Sequence, residues 1–288
     1  MHSSPPRKTV LITGTSTGFG LATARLFASR GWQVVASMRH PERAAAELRA
    51  LPDQVLITRL DVQDAASIQT AVAQAIARFG AIDVLINNAG FSLFGVFEGI
   101  TPDKLRQQFD VNLFGAMEVT RAALPHMRER HRGVVINVSS GAGVFGLPML
   151  SLYNASKFAL EGWSESLSYE LASQGLRVKI VEPGGVTSTA FGQRMAQEAA
   201  QSSAPTDYAG FEARAHEAFA ELRRSRRHAT SEDVAQVLWE AATDETDRLR
   251  YVATEDIKAW VTARREAGEE AYLALMRAHF ADLAKPAR

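Results

Sequence analysis

Tyr153 and Lys157 stand four residues apart in the stretch YNASK. On a helix that spacing puts a phenol and an ammonium on one face, side by side. A phenol ordinarily ionises near pH ~10, and a neighbouring ammonium favours the phenolate and lowers that value. A tyrosine placed this way can give a proton to a carbonyl oxygen, or take one from an alcohol, at ordinary pH. Ser140 lies thirteen residues earlier, at the end of GVVINVSS. Its hydroxyl is suited to hydrogen-bonding that oxygen and fixing its orientation. Asn112, in VNLFG, falls in the middle of a long helical stretch, where asparagine competes with the helical hydrogen bonds. Each has a plain alternative when taken alone: a Tyr–Lys pair decorates many helix surfaces, and a serine at a strand end often caps the next helix.

A second chemical signal is TGTSTGFG, Thr13 to Gly20, between a short apolar run and a helical pattern. Glycine lets the backbone come close to a phosphate, and the following helix N-terminus offers unpaired N–H groups and partial positive charge. The missing side chains are then replaced by a pyrophosphate. A tight strand-to-helix turn with nothing bound is the alternative.

These groups need elements to hold them. β-Branched runs at 9–13, 33–38, 55–62, 83–90, 133–140, 177–185 and 249–253 read as strands. Helical patterns at 21–31, 41–51, 65–80, 102–130 and 152–174 separate them. The strands are apolar on both faces, as burial between two helical layers demands. Regular alternation predicts an α/β fold, a doubly wound parallel sheet of about seven strands with helices on both faces. No repeat or linker divides the chain, so the expectation is one domain over 1–288. Residues 1–7 read as a loose arm, 189–230 as a substrate-side flap, and 254–288 as a charged helical tail.

The spacing G-x-x-x-G-x-G, with Thr13 before it, resembles the loop of the short-chain dehydrogenase/reductase family in its single-domain branch. Further motifs follow in the family's order: LDV with Asp61, NNAG at 87–90, VNLFG with Asn112, NVSS ending at Ser140, YNASK, and PGGV from Pro183. The match runs over roughly residues 8–190, and the whole is most similar to the branch with steroid- and retinol-type dehydrogenases. The resemblance implies a Rossmann fold, a nicotinamide dinucleotide and interconversion of an alcohol and a carbonyl compound. It makes Tyr153 the general acid/base, assisted by Ser140, Lys157 and Asn112. Lys157 also holds the nicotinamide ribose, Asn112 holds a water that relays protons, and the positive nicotinamide further lowers the phenol's pKa. An epimerase or dehydratase on the same scaffold and a catalytically silent, cofactor-sensing regulator are the rival readings.

Carried over position by position, the resemblance implies that Gly14, Ser16, Thr17, Gly18, Phe19 and Gly20 cradle the dinucleotide. Asp61 and Val62 border the adenine. Asn88, Ala89 and Gly90 line the nucleoside, although a buried Asn can also simply satisfy backbone groups. Pro183, Gly184, Val186 and Ser188 meet the nicotinamide end, and Ser188 keeps the hydroxyl that relatives supply from threonine. At the end of the second strand, Met38 brings no charge to the adenosine ribose and Arg39 follows with a guanidinium suited to a phosphate. His40 could assist it. This favours NADP(H), with NAD(H) as the alternative, because Thr17 stands where some relatives carry a second basic residue.

The substrate wall is read from the segments 91–97 and 144–150 and from the residues after Pro183: Phe94, Val144, Phe145, Met149 and Phe191, with Val96, Leu147 and Met195 beside them. Few are charged, which suits a lipophilic or aromatic ketone or alcohol. Arg223, Arg224, Arg226 and Arg227 form a basic cluster, read as a solvated helix face. Net charge is zero, so no global field draws the chain to nucleic acid or an anionic membrane. No run of about 18 apolar residues suggests a membrane span, and the N-terminus lacks the apolar core of a secretory signal. Cysteine is absent, the seven histidines show no ligand spacing, and no metal is expected. A cytoplasmic homodimer or homotetramer, joined through the helices carrying Asn112 and Tyr153, completes the expectation.

Overall fold

The computed structural model describes residues 7–186, 190–199, 204–225 and 229–284. Its strands are β1 (Thr9–Thr13), β2 (Gln33–Met38), β3 (Val55–Arg59), β4 (Val84–Asn87), β5 (Gly133–Val138), β6 (Leu176–Glu182) and β7 (Arg250–Val252). They form one parallel sheet in the order β3-β2-β1-β4-β5-β6-β7. The chain moves outward from β1 to β3, returns to lay β4 against the other side of β1, and continues outward again. That reversal opens a crevice at the carboxyl ends of β1 and β4, the place where such sheets take ligands.

The helices are α1 (Gly18–Ser29), α2 (Ala46–Arg49), α3 (Ala65–Phe79), α4 (Pro102–Phe109), α5 (Gly115–Glu129), α6 (Ser151–Ala172), α7 (Ala190–Ala199), α8 (Ala209–Ser225), α9 (Ser231–Thr243), α10 (Lys258–Glu266) and α11 (Glu269–His279). Alternate strand residues face opposite layers. Val10, Ile12, Val34 and Ala36 pack against Phe27 of α1 and Val234 and Leu238 of α9. Leu11, Val35, Leu85 and Val135 pack against Ile68 of α3, Val119 and Ala123 of α5, and Leu167 of α6. This two-sided burial is what the unbroken apolar runs encode.

Three elements depart from the sequence expectation. The segment 41–51 is not one helix. Pro41–Arg43 make a single tight turn and Ala45 is extended. Only Leu48 anchors α2 in the core, because a run of alanines offers no apolar stripe to bury. The first helix starts at Gly18 rather than residue 21, so the last two loop glycines belong to its opening turn. The expected helix over 102–130 is two helices joined by a π-turn at Asp110–Phe114, and Asn112 lies inside that turn. Such wide turns concentrate at functional positions.

Candidate active site

The glycine loop is stitched to its neighbouring strands. Thr13 Oγ1 accepts from the backbone N–H groups of Asn88 and Ala89, each at 3.0 Å. Asn88 Nδ2 donates to the carbonyls of Thr13 (2.8 Å) and Gly14 (3.2 Å). Thr15 Oγ1 donates to the carbonyl of Ser37 at 3.1 Å. Gly14 has φ +73°, and a Cβ at Gly20 would lie 2.3 Å from the Gly14 carbonyl oxygen. Neither position admits a side chain while the loop lies this close to β4. Asn88 therefore does satisfy backbone groups, and in doing so sets the loop's shape.

This cradle opens onto the start of α1. Thr17 is its N-cap in an extended conformation, its side chain makes no capping bond, and no acidic residue stands in the first turn. The helix end keeps N–H groups for an anion. One cleft of about 340 Å³ runs from there along the carboxyl ends of the strands. Gly14, Ser16, Thr17, Gly18 and Phe19 form its floor, and Gly20 packs behind them. Met38, Arg39, Asp61 and Val62 line one end, and Asn88, Ala89 and Gly90 the middle. Met38 is buried with its side chain in the sheet, so Arg39 is the exposed group there. His40 is turned to Glu42, 3.2 Å away. One carboxylate oxygen of Asp61 accepts from the backbone of Gln63.

At the other end of the cleft the expected catalytic groups meet. The hydroxyls of Tyr153 and Ser140 share a hydrogen bond. The Lys157 ammonium lies 5.9 Å from the Tyr153 ring centre and donates to the carbonyl of Val138 at 2.8 Å. Ser140 Oγ also accepts from the backbone N–H of Ala142, so it is both cap and candidate oxygen binder. Asn112 Oδ1 accepts from the Phe91 N–H (3.0 Å), while its Nδ2 donates to the Phe91 carbonyl (2.9 Å) and Ser156 Oγ (3.2 Å). That amide positions the chain after NNAG.

Burial pushes the Tyr153 phenol up to about 12, and the Ser140 hydrogen bond only partly opposes this. Desolvation disfavours the charged form of a buried group. Burial also brings Lys157 down to about 8, with Glu161 acting in the opposite direction. Glu161 is itself held above the ordinary carboxyl range by burial and by Glu182.

The substrate-side residues divide. Phe94 and Met149 join Tyr153 in an apolar cluster with Val96, Leu150 and Ala215 of α8, and Leu147 and Met195 pack against it. Val144 and Phe145 do not join it. They pack against Ile257, Trp260 and Tyr272 of the C-terminal tail, with the Phe145 and Trp260 rings edge to face at 5.2 Å. Their apolar rings were legible in the sequence, but not the tail that covers them. Gly184 and Gly185 donate through their backbone to Thr254 Oγ1 (2.8 Å) and Asp256 Oδ2 (2.9 Å). Pro183 is buried, its carbonyl accepting from the Gly141 N–H, and Val186 packs on the α1 side of the core. Ser188, Arg226 and Arg227 lie outside the described residues, as does the side chain of Phe191. Arg223 and Arg224 are exposed, and Arg224 pairs with Glu217 and Glu221.

The cleft also takes residues that sequence reasoning passed over, among them Ser139, Val111 and Arg194. Arg194 sits on α7 with its guanidinium 4.0 Å from the Phe91 ring centre. Its only signal was an Arg–Glu pair at i, i+4 with Glu198, which reads as an ordinary helix-surface ion pair.

A parallel sheet with this strand order, a glycine cradle at its switch point and a Tyr–Lys–Ser cluster define a dinucleotide-dependent dehydrogenase. The model of the short chain dehydrogenase family matches residues 8–200, and the chain belongs to that family. An oxidoreductase of Schizosaccharomyces pombe is 38% identical over 241 residues, covering 83% of this chain and 98% of the relative. The crystal structure of a short-chain dehydrogenase from Streptomyces avermitilis superposes with a TM-score of 0.78 at 32% identity, covering 97% of this chain and 96% of the other. A short-chain dehydrogenase/reductase from Burkholderia phymatum, solved with NAD, gives a TM-score of 0.77 at 25% identity, covering 98% and 97%. The protein is an NAD(P)-dependent dehydrogenase of this family.

Proposed function

We propose that the protein is an NADP(H)-dependent oxidoreductase that interconverts a secondary alcohol and a ketone, or a primary alcohol and an aldehyde, on a lipophilic or aromatic substrate. The observation that carries this reading is the hydrogen bond between the hydroxyls of Tyr153 and Ser140, at the end of a cleft lined by Lys157 and floored by the glycine loop.

The dinucleotide, when bound, supplies or accepts the hydride. The chain's own groups do the rest. In reduction the Tyr153 O–H donates its proton to the substrate oxygen, and in oxidation the same oxygen takes a proton back. A phenol held protonated to about pH 12 is ready for the donor role at neutral pH. The Ser140 hydroxyl hydrogen-bonds the substrate oxygen and stabilises the charge that develops there. Lys157 brings a positive charge beside the phenol and the ribose end of the cleft. Asn112 holds the backbone of Phe91, and with it the wall between cofactor and substrate.

NADP(H) preference is supported by Arg39, exposed just after β2, and by the uncharged Met38 that ends the strand, where an acidic residue would repel a 2′-phosphate. The lipophilic substrate is supported by the apolar cluster of Phe94, Val96 and Met149 around Tyr153. A homodimer or homotetramer is supported by Phe114 at the head of α5 and by Phe158 and Tyr169 on α6, all three exposed large rings. A cytoplasmic location accords with a chain that has no cysteine. Among the described residues no helix is long and apolar enough to cross a membrane.

The test is turnover. Purified protein is mixed with NADPH and a panel of aromatic and cyclic ketones, and loss of the reduced-nicotinamide absorbance is followed. Faster consumption with a lipophilic ketone than without, and with NADPH over NADH, is the expected result. Binding of NADPH with no turnover on any carbonyl compound would favour a sensing role instead.

A further inference from the structure

Two guanidinium groups face the dinucleotide cleft from elements far apart in the chain. Arg39 follows β2 and Arg194 lies in α7, and both line the same cavity. Arg194 is stacked on Phe91, whose ring is almost wholly buried beneath it. Glu198, one turn further along α7, approaches the guanidinium at 3.6 Å and also pairs with Lys104 of α4. Glu198 turns one carboxylate oxygen to Arg194 and the other to Lys104, so a single negative charge is shared between two cations. Two like charges that line one cleft repel each other, and burial together with Arg39 holds Arg194 below the usual guanidinium value. An anion between them relieves that repulsion.

We propose that Arg194 is a phosphate-binding residue for the dinucleotide, reaching in from the flap helix to act with Arg39. This rests on the NADP(H) reading above. It supplies a second cation that the glycine loop, with Thr17 at the corresponding point, does not contain. A guanidinium presents a planar fork of donors matched to phosphate oxygens. The arrangement has a consequence for the substrate side. Met195, the next residue, packs against the apolar cluster around Tyr153. A phosphate that fixes Arg194 therefore also steadies Met195 against that cluster.

The experiment measures dissociation constants for NADPH and NADH by calorimetry with wild type, Arg194→Met and Arg194→Lys. Methionine keeps an apolar stem over Phe91 without the charge, and lysine keeps the charge without the fork. Arg194→Met is expected to weaken NADPH binding about tenfold to a hundredfold, and Arg194→Lys to recover part of that loss. The affinity of Arg194→Met should also fall less steeply with added salt. Equal losses for both dinucleotides assign Arg194 to the pyrophosphate, and a loss confined to NADPH assigns it to the 2′-phosphate; either supports the inference. Affinities of Arg194→Met within about twofold of wild type for both dinucleotides, with melting temperature unchanged, would overturn it. Should Arg194→Met melt early, Arg194→Gln is measured in its place, and a salt slope and affinity equal to those of wild type count against the inference. Failure of the wild type to bind either dinucleotide is a different outcome, and refutes the cofactor reading itself.

Discussion

Asp256, from the turn that leads into the C-terminal helices, accepts a hydrogen bond from the backbone N–H of Gly185 at 2.9 Å. Thr254 does the same for Gly184. The turn that ends β6 is thus held by a segment about seventy residues later in sequence. A Cβ on Gly184 would lie 2.4 Å from an Asp256 carboxylate oxygen and 2.5 Å from Thr254 Oγ1. Gly184→Ala is therefore expected to push the tail off this turn and lower the thermal midpoint. Asp256→Ala should do so more mildly, by the ~1.5–3 kcal/mol of a hydrogen bond to a charged group. Thermal unfolding of both variants, with the KM for NADPH, checks this. KM should rise in each.

Asn112 is a second positioning residue with a measurable cost. Its amide satisfies both backbone groups of Phe91 inside the core. Asn112→Ala leaves the buried Phe91 N–H unpaired, at ~1–3 kcal/mol, while the Phe91 carbonyl keeps the bond from Gln108 Nε2 at 2.7 Å. Asn112→Asp keeps the acceptor for the N–H but brings a carboxylate against the Phe91 carbonyl. Both variants should unfold at lower denaturant, Asn112→Ala by a midpoint shift at constant slope.

Lys157 gives a pH signature. Its folded value is near 8, below the ordinary lysine value of 10.5, so charge is buried at a cost below pH 8 and that cost fades as pH rises from 8 through 10.5. The stability of wild type relative to Lys157→Met should therefore improve as pH rises across this window and level off above it. Denaturant titrations of the pair between pH 7 and about 11 measure it. A side-chain NMR titration of reductively methylated protein should show one lysine titrating near 8, and Glu161→Gln should move it lower, because the Glu161 charge favours the ammonium.

Ser140 separates substrate orientation from folding. Ser140→Ala removes the hydroxyl that meets Tyr153 and the cap on the Ala142 N–H. Turnover should fall about 10²–10³-fold, the typical loss for one preorganised donor at a developing oxyanion. Dissociation of NADPH, measured separately, should change little.

Much of this was legible in the chain. The two-faced apolar strands dictate the parallel sheet, and motif order places Ser140 just beyond a strand end and Tyr153 and Lys157 on the helix that follows. What stayed hidden is tertiary. The alanine run at 44–46 reads as helix by propensity, yet lacks an apolar stripe and yields only α2. The awkwardness of Asn112 was visible, but not the π-turn that absorbs it. Phe145 looks like a pocket ring until Trp260 is laid across it. Arg194 is indistinguishable from a surface arginine until α7 folds over Phe91. The depth at which the Tyr153 ring is buried, which raises its phenol, was not legible either.

The proposal rests on Tyr153 as the proton donor, and Tyr153→Phe tests it most directly. The ring and its packing with Phe94 and Met149 are kept, and only the hydroxyl goes. With the lipophilic ketone that wild type reduces best, NADPH consumption should fall by about 10²–10⁴-fold, while the dissociation constant for NADPH and the melting temperature stay close to wild type. Turnover undiminished in Tyr153→Phe would contradict the account.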